Sequence, residues 1–418
     1  MTNIGYLHYF KYPLAQFLIS GILEFMNELL LGTGSGIFTP PVGTLMAGFG
    51  HRDHGAEGVL DDLEFRLFLL KHGDGAVCII SADHIGFGAA FTAQLRQDLH
   101  EITGIDPAKV LLCASHTHCG PQMLGHLPGA GGPLNESVQA DLREKIKAAA
   151  RQANENLISV RMSWGESSLS SFAINRRRKT SEGFVNAPNP FGRRDDAVTA
   201  IQFNDAKDNT LRGVLFSYTC HPTTLGGYLF SGDYPGAARR ALENKTGAIA
   251  GFLPGCFGDV RPNCTVTGNG RFRAGNPTDI EDFGAALANS VMDAIKSTFP
   301  LTPQLDGVCS EVELPLQAEG DSRALPLQRI DLAKDFSIMA MGGEVCVDYG
   351  HYIKGLSNTR RFLPLGYSND VIAYIPTVQI LSEGGYEAAT SCPLFGLPSP
   401  FKPEIENLLK DAVKKMLA

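Results

Sequence analysis

Val110-Leu-Leu-Cys-Ala-Ser-His-Thr-His-Cys-Gly-Pro121 is the stretch that decides the fold. Its first half, Val110 to Ser115, is largely apolar, as expected of a strand buried on both faces. Histidines appear where that run stops, and in α/β sheets ligands collect beyond the carboxyl ends of the strands. If the chain stays extended, His116 and His118 point to the same side. They are the first candidates for a site, against the plainer reading of two polar loop histidines.

Upstream, Leu63 to Leu70 and Ala76 to Ala82 flank Lys71-His-Gly-Asp-Gly75, a hairpin turn in which Gly73 and Gly75 supply permissive dihedrals. A helix is predicted from Gly88 to Glu101. Downstream, Val138, Leu142, Ile146, Ala149, Ala150 and Ala153 fall at helical spacing, so Asn135 to Asn156 reads as an amphipathic helix. Thr278-Asp-Ile-Glu281 reads as a capping box opening a helix with Ile280, Phe283, Leu287, Val291 and Ile295 on one face. A last helix is predicted to start at Pro403 and to bury Ile405, Leu408, Leu409, Ala412, Val413 and Met416. Strands alternating with helices predict an α/β fold, a layered single domain with a mixed sheet flanked by helices. Phe299-Pro-Leu-Thr-Pro303 breaks the chain before a new strand, so a boundary at Pro300 to Gln304 is the alternative.

The 418 residues are 44% apolar and 19% charged, with 46 Gly and 24 Pro, which excludes fibrous and disordered classes. Lys and Arg number 36 against 44 Asp and Glu, a net charge of −8 that repels phosphate backbones, so no nucleic-acid partner is expected. The nine cysteines are odd in number and contain no Cys-x-x-Cys pair, which argues against a disulfide framework and favours a reducing, cytoplasmic location. Tyr12 to Phe25 is mostly apolar but shorter than the ~20 residues that span a bilayer. Export remains the alternative if the first 25 residues act as a signal, although no small-x-small cleavage site follows. Met26-Asn-Glu-Leu then opens the expected catalytic domain, 26–418, with 1–25 as a non-core extension.

Further chemistry gathers at strand ends. Val214 to Cys220 is a second strand-like run, and His221 follows it as His116 follows the first. Glu344 stands after Gly342-Gly343 at the entry to an apolar run, whereas Asp233 and Asp259 lie in tight turns that suit a capping role. Zinc accepts histidine nitrogen and carboxylate oxygen and leaves a position for water in catalytic sites. No His-Glu-x-x-His, Gly-x-Ser-x-Gly, Walker or dinucleotide pattern occurs. Gly125 to Gly132 reads as a mobile loop near the site.

The order of several short motifs carries a family likeness. They are Phe38-Thr-Pro-Pro-Val-Gly43 with Ala47-Gly48-Phe49, Ser115 to Pro121, Ile174-Asn175-Arg176, His221-Pro222-Thr223, Ser231-Gly-Asp-Tyr-Pro-Gly236, Gly258-Asp259, Gly343-Glu344, Tyr367-Ser-Asn-Asp370, Tyr374-Ile-Pro-Thr377 and Gly384-Gly-Tyr-Glu387. Together they resemble the neutral/alkaline ceramidase family in its short bacterial form, without the C-terminal β-sandwich of the long ceramidases.

The resemblance implies a zinc-dependent amide hydrolase with one Zn2+ per chain, held by His116, His221, Glu344 and Tyr374. It places His118 as the catalytic proton carrier or oxyanion partner, and Arg176 and Tyr386 at the substrate. One position departs from the pattern: where the family has a serine, this chain has Arg261, which favours an anionic group. No basic amphipathic face marks a bilayer-docking surface. The expected substrate is therefore a small soluble N-acyl or lactam-type amide, open to an anionic one through Arg261, rather than ceramide, with no stable membrane association. The rival readings are an esterase or lactonase using the same metal chemistry, and a non-catalytic metal-containing binding protein.

Overall fold

Alternation along three neighbouring strands sets the layers. In β3 (Glu64–His72), Phe65, Leu67 and Leu69 pack into one core while Phe68 and Leu70 pack into a second. β4 (Gly75–Ala82) and β5 (Val110–Ala114) divide the same way, with Leu112 and Ala114 on one side and Leu111 and Cys113 on the other. A strand apolar on successive residues must be covered on both faces. The computed structural model, which describes residues 28–125 and 133–418, supplies both covers.

The main sheet has nine strands, built on β1 (Leu29–Ile37), β3, β4, β5, β6 (Ile158–Ser168), β9 (Ala197–Asp205), β10 (Leu211–Tyr218) and β12 (Ile249–Pro254). Its order is β12-β10-β9-β6-β1-β3-β4-β5, with β14 (Thr298–Pro300) beside β6. The β4/β5 and β10/β12 pairs are parallel and the rest antiparallel, so the sheet is mixed. Helices α1 (Ala89–Thr103), α2 (Glu136–Glu155), α3 (Asp233–Thr246) and α4 (Pro277–Ala294) pack on one face. On the other lies a second sheet, β15 (Pro303–Pro315), β16 (Ser322–Ala333), β17 (Phe336–Met341) and β19 (Arg361–Leu365), joined through Ile330, Leu332, Phe336 and Ile338. Helices α5 (Val347–Lys354) and α6 (Ile405–Leu417) pack on this second sheet. The layers run helix, sheet, sheet, helix.

The hairpin turn at Gly73 forms as expected, with φ +54° at that glycine. Two helix starts differ from expectation. The capping box on α4 uses Asn276 and Asp279, not Thr278 and Glu281, because Asn276 caps and Pro277 takes the first helical position. The last helix starts at Ile405 rather than Pro403, and Leu408 faces outward at 41% exposure. Residues 1–25 and the glycine-rich stretch 126–132 lie outside the described residues. Among the described residues no helix is long and apolar enough to cross a membrane. All nine cysteines are free.

Helix α2 lies directly on β1 because Gly32 leaves the strand backbone bare: a Cβ there would stand 2.1 Å from the Ala153 carbonyl oxygen. Gly32→Ala is expected to push α2 off the sheet, lowering unfolding free energy by ~1–3 kcal/mol as overpacked core sites do. Urea unfolding of the purified variant checks this; an unchanged midpoint would refute the close approach.

The main sheet also curls. Although β4 and β12 stand far apart in strand order, Ser81 Oγ on β4 donates to the Phe252 carbonyl on β12 at 2.6 Å. The curl brings the carboxyl ends of β5 and β10 together, and the site is built there.

Candidate functional site

His116 follows β5 and His221 follows β10, and the curl sets their ring centroids 4.7 Å apart. Both are buried, at 2% and 0% exposure. His116 adopts φ +66°, a left-handed conformation unusual for a residue with a side chain. That turn re-aims its imidazole out of the strand direction.

Each imidazole is fixed through Nδ1. His116 Nδ1 donates to the Ile85 carbonyl at 2.5 Å and His221 Nδ1 to the Phe257 carbonyl at 3.2 Å. A carbonyl only accepts, so both rings carry the proton on Nδ1 and present Nε2 as a lone pair. Neither Nε2 has a hydrogen-bond partner among the described residues. Both face one carboxylate oxygen: Glu344 Oε2 lies 3.5 Å from His116 Nε2 and 3.6 Å from His221 Nε2.

Glu344 arrives from the second sheet. It opens the two-residue strand β18 (Glu344–Val345), which pairs in parallel with β20 (Tyr374–Ile375) in the register Glu344↔Tyr374. This short pairing sets a carboxylate and a phenol side by side. Burial pushes the Tyr374 phenol well above its usual range; Arg176 pulls it down and Glu344 pushes it up. Tyr367, to which the sequence assigned no role, directs its hydroxyl to Glu344 Oε2 at 3.4 Å and packs its ring 4.3 Å from that of His116.

His118 is arranged differently. Its ring centroid lies 5.1 Å from His116 and 5.2 Å from His221, and the three residues form a potential metal-holding group. Neither of its ring nitrogens has a partner among the described residues, so no carbonyl anchors it. Burial, followed by the neighbouring His116 ring and the positive charges of Arg52, Arg261 and Arg176, holds the imidazole well below its usual pKa. Gly48, at φ +95°, lies against the ring, where a Cβ would stand 2.4 Å from Cγ. Arg52 fixes the His118 backbone by donating from Nη1 to its carbonyl at 2.6 Å.

Arg176 is 3% exposed and pairs through Nε with Glu387 Oε1 at 2.7 Å. Its guanidinium carbon lies 5.3 Å from the Tyr374 ring centroid and 5.5 Å from that of Tyr386. Glu387 also takes Arg177 Nη1 at 2.6 Å. Burial works against the Glu387 carboxylate, but the two guanidiniums hold its pKa below the usual range. Glu387 closes the Gly-Gly-Tyr-Glu motif, yet nothing local in the sequence shows that it neutralises two arginines.

The predicted residues thus come together. His116, His118, Glu344, Tyr374 and Tyr386 line one cavity of about 40 Å³, with Phe395 on its apolar wall. Arg261 stands on the His221 side, donating from Nε to Thr223 Oγ1 at 3.3 Å. The two turn aspartates are structural. Asp233 accepts from the backbone of Thr224, Leu225 and Tyr234, and Asp259 accepts from Val347 N and Asn175 Nδ2.

The donor set fits a metal ion. Two unpartnered imidazole nitrogens with anchored Nδ1 atoms, a carboxylate between them and an adjoining phenol make a mixed nitrogen and oxygen set of the kind zinc accepts.

No curated protein matches the chain in sequence. In fold the chain is similar to the neutral ceramidase from Pseudomonas aeruginosa, at 17% identity and a TM-score of 0.75, covering 93% of this chain and 73% of that one. It is also similar to a ceramidase complexed with C2, at 15% identity and a TM-score of 0.77, covering 93% and 74%. The family model for the N-terminal part of neutral/alkaline non-lysosomal ceramidases matches residues 29–287, more than half of the sequence. With that match laid over the curled sheet and its histidines, the chain belongs to the neutral/alkaline non-lysosomal ceramidase family, whose members hydrolyse amide bonds.

Proposed function

We propose that the chain is a zinc-dependent hydrolase that cleaves the amide bond of a small soluble N-acyl or lactam-type substrate. His116, His221, Glu344 and Tyr374 would hold one zinc ion. The observation that carries this reading is the convergence of two unpartnered Nε2 atoms on Glu344 Oε2. When bound, zinc supplies a water acidified toward neutral pH and a Lewis acid for the acyl carbonyl.

The protein's own part follows from how each side chain is held. A metal-ligating histidine typically fixes its second nitrogen to a carbonyl or carboxylate, and His116 and His221 do so while His118 does not. His118 is therefore assigned to proton movement: neutral and beside the ligand rings, it takes a proton at one ring nitrogen and returns it to the leaving amine. Tyr386 lines the cavity and offers its hydroxyl to the substrate carbonyl. Arg176, stacked on both tyrosines, keeps a cation beside the Tyr374 oxygen and so favours the deprotonated phenol that a metal binds.

Turnover of a panel of N-acyl amino acids, lactams, lactones and ceramides, with and without a chelator, tests this. Amide cleavage that a chelator abolishes and added zinc restores is the expected result. Turnover of lactones alone would replace the reading with an esterase, and turnover of ceramides alone would remove the small substrate.

A further inference from the structure

The buried arginines of this protein are matched with carboxylates. Arg66 pairs with Glu243, Arg176 and Arg177 share Glu387, and Arg239 pairs with Asp83 and Glu64. Arg261, half-buried beside the site, has no such partner; the half-buried Arg52 and Arg96 also lack one, but they spend their guanidinium nitrogens on the oxygens of Gly227, Ala47, His118, Val110 and Gln328. The one side-chain hydrogen bond of Arg261 runs from Nε to Thr223 Oγ1, and among the described residues no carboxylate lies within ion-pairing distance. The nearest acid that acts on it in the turn region, Asp233, already spends its oxygens on three backbone amides. The stretch 126–132, His-Leu-Pro-Gly-Ala-Gly-Gly, contains no acid that could serve instead.

The guanidinium is nevertheless held in place. It lies 4.4 Å over the Phe272 ring, which fixes its plane, while Thr223 fixes its Nε edge. Phe272 is itself tied down through a bridge to Val266. Arg261 is the middle residue of β13 (Val260–Pro262), which pairs with β7 (Ala173–Thr180). Through Val260, whose carbonyl accepts the His221 amide at 3.2 Å, that strand is tied to the ligand histidine. A guanidinium stacked on one face and bonded at Nε presents its two Nη groups as a planar fork, the geometry that grips a carboxylate in two parallel bonds.

The direction of the fork matters. The small cavity takes up the side of His116, His118, Glu344, Tyr374 and Tyr386, with Leu124, Val371, Leu394 and Phe395 as its apolar wall, which suits an acyl group. Arg261 is not among the residues that line that cavity and bonds instead to Thr223, two residues beyond His221. Its charge still reaches His118. With the cavity left to the acyl half, Arg261, whose charge acts on both His118 and Tyr374, is the cation available to the amine half.

We propose that Arg261 is a specificity-determining residue that binds a carboxylate on the amine half of the substrate, so that the preferred substrates are N-acyl amino acids. This rests on the amide-hydrolase reading of the site and narrows it. Thr223 holds Nε and sets the fork, and Phe272 sets its plane.

The test compares matched pairs, an N-acetyl amino acid and its C-terminal carboxamide, with the zinc-loaded wild type, Arg261→Ser and Arg261→Lys. In wild type the acid is preferred in kcat/KM. Arg261→Ser is expected to reduce that preference about 10- to 100-fold, the range of a lost charge-assisted hydrogen bond, and Arg261→Lys to restore only part of it. Equal losses on both members of the pair, or a wild type with no preference for the acid, overturn the proposal.

Calorimetric binding of the N-acetyl amino acid to metal-free protein separates this failure from failure of the hydrolase reading. Binding that Arg261→Ser abolishes, with no turnover of either compound by wild type, keeps the carboxylate site and removes the hydrolase. Binding unchanged by Arg261→Ser removes the carboxylate site whatever the turnover shows.

Discussion

Purified His116→Ala and Glu344→Ala proteins are expected to carry almost no zinc, and the wild type about one ion per chain, the stoichiometry of a single catalytic site. Hydrolysis will fall by about 10³-fold or more, since the Lewis acid and its water account for several kcal/mol of the barrier. The geometry explains why no neighbour compensates. Glu344 Oε2 faces both ligand imidazoles at 3.5 and 3.6 Å, so removing it takes away the centre of the donor set. Removing His116 leaves His221 and Glu344 with one imidazole fewer, and His118 lacks the Nδ1 anchor that would align it as a substitute.

A folding control belongs with this experiment. His116 sits at φ +66°, where alanine is strained and glycine is not. His116→Gly should therefore lose the metal without the backbone cost. Elemental analysis of dialysed protein reads the outcome directly, and full zinc occupancy in both alanine variants would sink the ligand assignment.

The largest effect on stability is expected at Glu387. Its side chain, 2% exposed, neutralises Arg176 through Oε1 and Arg177 through Oε2. Arg177 keeps a second acid, Glu383, at 3.2 Å, but Arg176 is left with no carboxylate, only the Tyr374 hydroxyl and the two tyrosine rings. An uncompensated buried charge costs about 3–5 kcal/mol, so Glu387→Ala should lower unfolding free energy by that amount. Glu387→Gln keeps the hydrogen-bonding shape without the charge and should fall between. Urea titrations on metal-free protein measure the fold alone; a loss below about 1 kcal/mol would show that the arginines find other partners. Tyr374 and Tyr386 pack on Arg176, so the variant should also bind zinc more weakly.

The layers were legible because β3, β4 and β5 are apolar on successive residues, and such strands are covered on both faces. What covers the second face was not legible: a second sheet and a helix satisfy the same residue pattern. His116 and His221 could be found from their places after strand-like runs. Glu344 and Tyr374 could not be found that way, because β18 and β20 are two residues long and carry no periodicity. The glycines before Glu344 marked it as a candidate, but its part in a ligand set, and Tyr374 altogether, came only from the family resemblance.

The capping box was misplaced because Thr278-x-x-Glu281 and Asn276-x-x-Asp279 both have the form of a box, and Pro277 at the first helical position decides between them. The link from Arg176 to Glu387 joins residues far apart in sequence, and no local rule predicts such a pairing.

The curl of the main sheet sets the order in which the protein can become active. His116 follows one edge strand, His221 follows the neighbour of the other edge strand, and Glu344 and Tyr374 come from beyond the second sheet. Such distant pairings are slow to form, because loop-closure entropy is lost before the contacts that offset it are made. The β18/β20 pair holds Glu344 and Tyr374, but among the described residues no hairpin or helix brings either histidine to them, so the full set forms only when the sheet closes. If these four residues act as proposed, activity is expected to follow global unfolding rather than local fraying, and a substitution that loosens the closure of the sheet, however distant, to lower the fraction of molecules able to react.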